Sequence, residues 1–360
     1  MDDAKMTAGT SLFAGPAPGS DGRWYLWWAA LVIVVITALI PAAFIVAAGK
    51  DPVAAYKALL VYTLATSSGF YEVLTQSIPL ALVGLGVVVA FRAGVFNIGG
   101  DGQFLLGAMA AFIFAPWFGE LPQPLGLLLY LMVGFVGGGL LGVLVGWLLV
   151  RFRASEIIST IVLNFIVMQL LSWAIRGPLQ EPARLMPWSE YLPETLLLPN
   201  LIAGSRVHYG LVVALVALVV LAVVVKKTAF GFKLTTVGRN PSAARYAGMR
   251  EKRVILWAML ISAGMAGLAG AVQVAGIHER LQDNFSAGYG QAAIAIALMA
   301  RLSPMWVAPM AILFAIFYVG AGVLQREANI PFPIVYIIEG VVILGFLCFD
   351  AISSRHKENA

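Results

Sequence analysis

Ten long apolar runs, separated by short polar or glycine-rich turns, fill most of this 360-residue sequence. Hydrophobic residues make up 61% of the chain and charged residues only 11%, whereas a soluble protein carries about 25% charged residues. A membrane-spanning helix needs about 20 mostly apolar residues. The composition therefore excludes a pair of soluble domains and predicts an all-α, polytopic membrane protein with about ten helices.

The runs divide the chain into a membrane domain and two tails. Residues 1–23 are rich in Gly and Pro and are predicted to be a disordered tail, residues 24–350 the membrane domain, and residues 351–360 a second tail. The first run is longer than the core of a signal peptide, so we expect an uncleaved helix. The predicted spans are 24–48, 73–91, 104–118, 125–150, 157–175, 208–225, 254–277, 290–300, 304–324 and 332–349.

Basic residues set the predicted orientation, because Lys and Arg in short loops stay on the cytoplasmic side. The loop 226–253 holds eight Lys and Arg residues against one acid, Glu251. Counting helices from that loop places both termini in the cytoplasm and the proline-rich loop 177–207 outside. We therefore interpret the basic residues as topology signals that face anionic lipid headgroups, and not as a nucleic-acid site.

Several classes of chemistry are excluded by residues that the sequence lacks. The single cysteine, Cys348, forms no intrachain disulfide or thiolate cluster, and the three histidines are far apart in sequence. No glycine-rich phosphate loop ending in Gly-Lys-Ser/Thr occurs. If ATP drives this protein, another chain must bind it.

Two glycine-broken segments resemble each other. One runs from Phe96 to Gln103 and the other from Phe285 to Gln291, and each places a Gln at the start of an apolar helix. The predicted helices after them run in opposite directions, which is typical of an inverted repeat around a transport path. Irregular backbone at membrane depth is tolerated only beside protein or a water-filled cavity. Ordinary turns between helices are the alternative.

Two further sets of glycines recur at helical spacing and predict close helix packing without a ligand role. The sets are Gly134, Gly138, Gly142 and Gly146, and Gly264, Gly267 and Gly270.

Polar side chains within apolar helices normally face the bundle interior or a cavity. Glu156, Thr160 and Asn164 share one helix face, although an acid is also favoured at a helix N-terminus, as at Glu156. Asn164 and Gln169 bind either a polar solute or a neighbouring helix, and Glu339 is a candidate proton site. The residues predicted to line a substrate pathway are Asn97, Asp101, Gln103, Thr160, Asn164, Gln169 and Gln291.

Four segments together resemble the permease subunits of bacterial ATP-binding cassette importers for simple sugars and nucleosides, which are related to the branched-chain amino acid permeases. They are FRAGVFNIGGDGQFLLGA (91–108), SEIISTIVLNFI (155–166), VGRNPSAARYAGM (237–249) and IPFPIVYIIEGVVIL (330–344). The first two are more similar to the nucleoside branch than to the ribose-type branch. Asp101 departs from the longer Glu that is usual in the family.

This resemblance implies the partners and the mechanism. It implies two ATPase subunits that bind the ATP, an extracytoplasmic binding protein that docks outside, and a second permease, expected to be a different but related chain. This chain would sit in the bacterial inner membrane, catalyse no reaction and need no cofactor. Residues 238–249 would form the helix that contacts the ATPase. The residues that match the family's pattern there are Gly238, Asn240, Pro241, Ala243, Ala244, Ala247 and Gly248, and Arg245 is expected to take part in the same contact.

Two other functions stay open at this point. An ion-driven secondary transporter would use Glu339 or Glu156 as its coupling site, and a passive channel would need no partner. Amides and hydroxyls suit nucleosides, sugars and other polar solutes alike, so the sequence leaves the substrate undetermined.

Overall fold

The computed structural model describes residues 35–36, 38–47, 49–328, 340–341, 344–345 and 348. These residues form helices and connecting turns, with isolated β-bridges and no named strands, so the predicted all-α class is confirmed for the described part of the chain. They divide into two compact units, one within residues 1–57 and 324–360 and the other comprising Ala58–Val323. The candidate site described below lies within the second unit.

Twelve α-helices lie within the described ranges. Two π-helical turns, Val61–Ala65 and Val274–His278, and one 3-10 turn, Glu194–Leu196, lie between them. The helices are α1 (Ala38–Ala47), α2 (Pro52–Leu60), α3 (Ser67–Arg92), α4 (Gly100–Gly119), α5 (Gln123–Phe152), α6 (Glu156–Ile175), α7 (Gly210–Lys227), α8 (Ala229–Arg239), α9 (Pro241–Tyr246), α10 (Glu251–Gln273), α11 (Tyr289–Met299) and α12 (Pro304–Ala328).

Seven of the described helical segments are long and apolar enough to cross a membrane, and the bent pair Ala38–Ala47 with Pro52–Ala65 would make eight. The chain is therefore a multi-pass membrane protein. The sequence analysis did not predict α2 or the π-helical turn Val61–Ala65 that follows it. The predicted tails 1–23 and 351–360 lie outside the described residues, as do most of span 332–349 and the first part of span 24–48. The count of ten stays a prediction.

Four helices begin where the sequence offers a side-chain cap. Thr66, Ser155, Thr228 and Asn240 each accept a hydrogen bond from a backbone N–H in the first turn of the helix that follows. Such a cap satisfies one of the four N–H groups that a helix start leaves without a partner. These polar residues therefore fix where α3, α6, α8 and α9 begin.

Glycines form the packed centre of the bundle, as their spacing predicted. A Cβ at Gly267 of α10 would lie 2.3 Å from the Gly134 carbonyl oxygen and 2.8 Å from Gly138 Cα, both on α5. A Cβ at Gly107 of α4 would lie 2.2 Å from Gly267 Cα. Three helices thus meet backbone to backbone, at a separation that no side chain permits.

Contacts at the two ends of the bundle show which turns lie together. At one end, Arg92 Nε donates to the Leu302 carbonyl oxygen over 2.6 Å, and the turn at Gly94 packs against Gly238. We call this the basic end; it comprises residues 92–95, 149–156, 226–253 and 300–303, all adjacent to Lys or Arg.

The opposite end carries the proline-rich connection. There Thr195 Oγ1 donates to the Gly119 carbonyl oxygen over 2.9 Å, and Leu192 N–H donates to the Glu279 carbonyl oxygen over 2.7 Å. We call this the loop end; it comprises residues 119–123, 176–209 and 278–284. The predicted grouping of the basic turns on one side of the membrane domain agrees with these contacts.

Candidate functional site

The two glycine-broken segments meet inside the bundle. A Cβ at Gly100 would lie 2.7 Å from Gly290 Cα and 3.3 Å from Val83 Cγ1. Val83 precedes the end of α3 at Arg92 by nine residues, which is about 14 Å of helix, or roughly half the thickness of a hydrocarbon core. The backbone breaks therefore touch well inside the bundle, away from the basic end.

Each break begins a helix that leaves the meeting point in its own direction. From it, α4 ends at Gly119 of the loop end, whereas α11 ends at Met299 beside the basic end. With 11 residues, α11 is about 16 Å long and spans only half of a membrane. Predicted span 290–300 is thus a half-helix.

Asp101 joins the starts of these two helices. Its Oδ1 accepts a hydrogen bond from the Gly290 N–H over 3.0 Å, and the Gln291 N–H also faces the carboxylate. Asp101 lies in the first turn of α4 and is buried. Helix N-termini carry partial positive charge, so a carboxylate between two of them stabilises their approach.

Asn97 and Gln103 hydrogen-bond to each other in the interior. Each amide donates to the other's carbonyl oxygen over 2.9 Å, and Asn97 also donates to Ser262 Oγ over 2.9 Å. Both side chains are almost fully buried, with 2% and 1% exposed. Their hydrogen bonds are thus made within the protein, and they fix the shape of the break at 94–99.

The predicted stripe on α6 packs against the start of α4. Asn164 Oδ1 accepts from the Gly102 N–H over 2.8 Å, and its amide donates to the Ile98 carbonyl oxygen over 3.1 Å. Thr160 is buried and donates to the Glu156 carbonyl oxygen of its own helix. These side chains brace the break, and their contact with a solute stays a prediction.

The other candidates lie apart from this network. Gln169 and Gln291 are exposed on the surface of the chain. Glu156 lies in the first turn of α6 behind the Ser155 cap, where the alternative interpretation placed it. Glu339 falls outside the described residues.

Residues 279–288, which the sequence analysis singled out only from Phe285 onwards, link loop 177–207 to the backbone break before α11. Arg280 places its guanidinium 3.6 Å from the Trp188 ring centroid and 4.8 Å from that of Tyr191. Ser189 N–H donates to the Leu281 carbonyl oxygen over 3.0 Å, and its Oγ accepts from the Leu281 N–H over 2.8 Å. Loop 177–207 and residues 279–282 therefore form one structural piece.

The same segment contains residues with unusual backbone. Glu279, Asn284 and Ala287 have φ values of 59°, 59° and 46°, in the left-handed region that non-glycine residues seldom adopt. Such conformations are costly and persist only when their surroundings enforce them. Arg176 pairs with Asp283, which lies close to it in the fold, and this hydrogen bond raises the pKa of the Arg176 guanidinium.

The predicted ATPase-contacting helix is present but shorter than predicted. It spans Pro241–Tyr246 instead of 238–249, because Gly238 and Arg239 belong to α8 and Asn240 caps the next helix by accepting from the Ala243 N–H over 3.0 Å. After it, Gly248 has a φ of 74°, which ends the helix.

Only one residue of α9 is buried against the protein. Ala244 is buried, whereas Ala243, Arg245 and Ala247 are exposed, and Arg245 pairs with Glu251 over 3.4 Å. Tyr246 is 95% exposed, which the sequence analysis missed. Aromatic side chains are enriched where proteins contact each other, so Tyr246 is a candidate contact residue. Beside α9 lies a cleft of about 510 Å³ lined by Arg153, Glu156 and Lys252.

Most of the chain is similar in sequence to known proteins. Residues 69–347 match the family described as branched-chain amino acid transport system / permease component. The chain is 35% identical to a glucose ABC transporter permease protein of Haloferax volcanii, covering 93% of this chain and 90% of that protein. It is 30% identical to a nucleoside ABC transporter permease protein of Lactococcus lactis, covering 87% and 88%.

A third relative is a guanosine ABC transporter permease protein of Bacillus subtilis, 35% identical over 76% of this chain and 79% of that protein. Bacillus subtilis also contains a second guanosine permease protein that is similar to this chain. Lactococcus lactis likewise contains a second nucleoside permease protein that is similar to it.

Proposed function

Because this chain belongs to the family of branched-chain amino acid transport system permease components, we propose that it forms the pathway of an importer for a nucleoside. It is a transport subunit of an ABC importer. The observation that carries the proposal is the match over residues 69–347, which includes both backbone breaks and the exposed α9. A simple sugar is the second candidate, because one relative is named for glucose.

We place the protein in the bacterial inner membrane with its basic end in the cytoplasm. Lys and Arg next to spans stay on that side, and the contacts at the basic end bring residues 92–95, 149–156 and 226–253 together. Ten spans would then leave both termini in the cytoplasm. The antiparallel meeting of α4 and α11 supports an inverted repeat.

On the cytoplasmic side, α9 is the contact for an ATPase subunit. Its six residues are too few to be stable alone, so Ala244 anchors it while Tyr246 and Ala243 face the partner. ATP binds to the ATPase and not to this chain. Closure of the ATPase pair pushes α9, and Gly238, which touches the carbonyl of Arg92, passes the movement to the end of α3.

Movement of α4 and α11 opens the path. The Asp101 contact with Gly290 joins them across the bundle, so a shift of either helix moves the other. On the outer side, a substrate-binding protein docks on loop 177–207 and releases its solute. The presence of two similar permeases in each of two bacteria supports a pair of different permeases.

The substrate is tested by uptake in cells that make the complete transporter. We expect cells with this chain to take up labelled guanosine at least about tenfold faster than cells lacking it, while uptake of labelled glucose is unchanged. The reverse pattern would assign the chain to sugars, and unchanged uptake of both solutes would overturn the proposed function.

A further inference from the structure

Some polar side chains near the breaks keep hydrogen-bonding groups that the fold leaves free. Asn97 and Gln103 satisfy each other, and Asp101 and Asn164 bond to the backbone. In contrast, Gln169, Asn284 and the Oδ1 atom of Asp283 have no protein partner within the described ranges. All three side chains line one pocket.

This pocket lies between α4, α6 and the segment 279–288 on the loop-end side of the breaks. Its volume is about 240 Å³, and its polar groups face the apolar side chains Leu105, Met168 and Leu171. A single water needs only about 10–15 Å³ by a similar measure, and a drug-sized ligand needs 300 Å³ or more. The pocket therefore suits a solute of the size of one sugar ring.

A weak ion pair controls one wall of the pocket. Arg176 binds Asp283 Oδ2, the Ser172 hydroxyl and the Ser172 carbonyl oxygen, and Ser172 and Asp283 both line the pocket. The side chains of the pair are 49% and 39% exposed. Pairs this exposed contribute little to stability, so a ligand that satisfies the carboxylate displaces the guanidinium at low cost.

The pocket is linked to loop 177–207 through hydrogen bonds. Asp283 and Asn284 follow directly after Leu281, which is hydrogen-bonded to Ser189 of loop 177–207. Arg280 adds its contact with Trp188. Glu279 and Asn284, at the two ends of this stretch, both have left-handed backbone conformations. Because such conformations are strained, a displacement of loop 177–207 changes the backbone of residues 279–284 first.

We propose that this pocket is the outer subsite that receives the solute, with Arg176 as its latch. When Arg176 is displaced, the two oxygens of Asp283 accept from two neighbouring hydroxyls of a sugar ring, and the amides of Gln169 and Asn284 bind further hydroxyls. A carboxylate offers only acceptors, so the subsite selects polyhydroxylated neutral solutes. This inference rests on the proposed function and adds its outer binding residues.

The single cysteine makes the test direct. Cys348→Ser leaves a cysteine-free chain, and Met168→Cys then places one thiol in the pocket wall without removing a polar group. In vesicles containing the complete transporter, a membrane-impermeant maleimide reports access to this thiol. We expect Arg176→Gln to raise the labelling rate at least about threefold while guanosine still protects, because the latch is lost and the acceptor stays.

Asp283→Asn removes the acceptor charge as well as the latch. We expect faster labelling but no protection by guanosine, and a maximal uptake reduced roughly tenfold, the loss typical of one charge-assisted hydrogen bond. The solute concentration for half-maximal uptake is unchanged, because the binding protein sets it. Glu120→Gln, which removes an exposed acid of the loop end outside the pocket, should behave like the parent chain.

The failure of this inference differs from the failure of the proposed function. Guanosine uptake by the parent chain, together with no guanosine protection at residue 168, would overturn the subsite alone. Full protection in Asp283→Asn would also overturn it. Absence of guanosine and glucose uptake in the parent chain would overturn the proposed function, whatever the labelling shows.

Discussion

Tyr246→Ala is expected to abolish most ATP-driven uptake without lowering the amount of folded protein in the membrane. The side chain is 95% exposed and contributes nothing to the packing of this chain. If Tyr246 is an anchor in the ATPase contact, its loss costs about 2 kcal/mol or more and weakens the contact about 30-fold. The measurement is initial solute uptake together with the amount of ATPase that co-purifies.

Lys233→Ala is the matched control, because Lys233 is also exposed at the basic end but lies on α8. Its uptake should equal that of the parent. A double variant, Asn240→Ala with Arg245→Ala, removes the cap and the ion pair of α9 and should reduce uptake as well, since a cap contributes about 1 kcal/mol. Normal uptake in Tyr246→Ala and in the double variant would refute the role of α9.

Gly267→Ala is expected to destabilise the protein strongly. The added methyl would lie 2.3 Å from the Gly134 carbonyl oxygen and 2.8 Å from Gly138 Cα, so only separation of α5 and α10 relieves the clash. Overpacking of this kind costs about 1–3 kcal/mol, because neither backbone is free to move locally. The measurement is the thermal midpoint of the detergent-purified chain, followed by size-exclusion chromatography.

Gly146→Ala provides the matched control on the same packed surface. There the new methyl would lie 3.2 Å from Leu256 Cδ2, the end of a flexible side chain, and 3.4 Å from Met259 Cβ and Cγ, with no backbone atom among these contacts. Both variants gain the same helix propensity, so a difference between them reports the clash alone. Equal midpoints for the two variants would contradict the packing described for α5 and α10.

Local patterns predicted α3 to α7 and α10 to α12, because apolar run length and glycine spacing depend on neighbouring residues only. The predicted span 125–150 lies within α5. Its glycines form the surface that packs against Gly267 of α10. The basic stretch 226–253 was interpreted as a loop, yet it contains α8 with Leu234 and Val237 buried. A charge count does not detect such an amphipathic helix, although the Thr228 cap was a usable signal.

The candidate site was only partly predictable. The sequence identified Asn97, Asp101 and Gln103 as functional candidates, but their partners depend on contacts such as Asp101 with Gly290, which are distant along the chain. One sequence contains no information on such pairs. Exposed groups such as Tyr246 and Asp283 lacked any signal in their local pattern, because exposure is a property of the folded chain.

The most direct test of the central claim is uptake into vesicles after purification of this chain with whatever accompanies it. We expect a tagged chain to co-purify with an ATPase subunit, and the complex, supplied with its binding protein, to accumulate guanosine only when ATP is present on the ATPase side. Uptake should persist when proton and sodium gradients are collapsed. Accumulation by the chain alone, driven by an ion gradient and indifferent to ATP, would contradict the account.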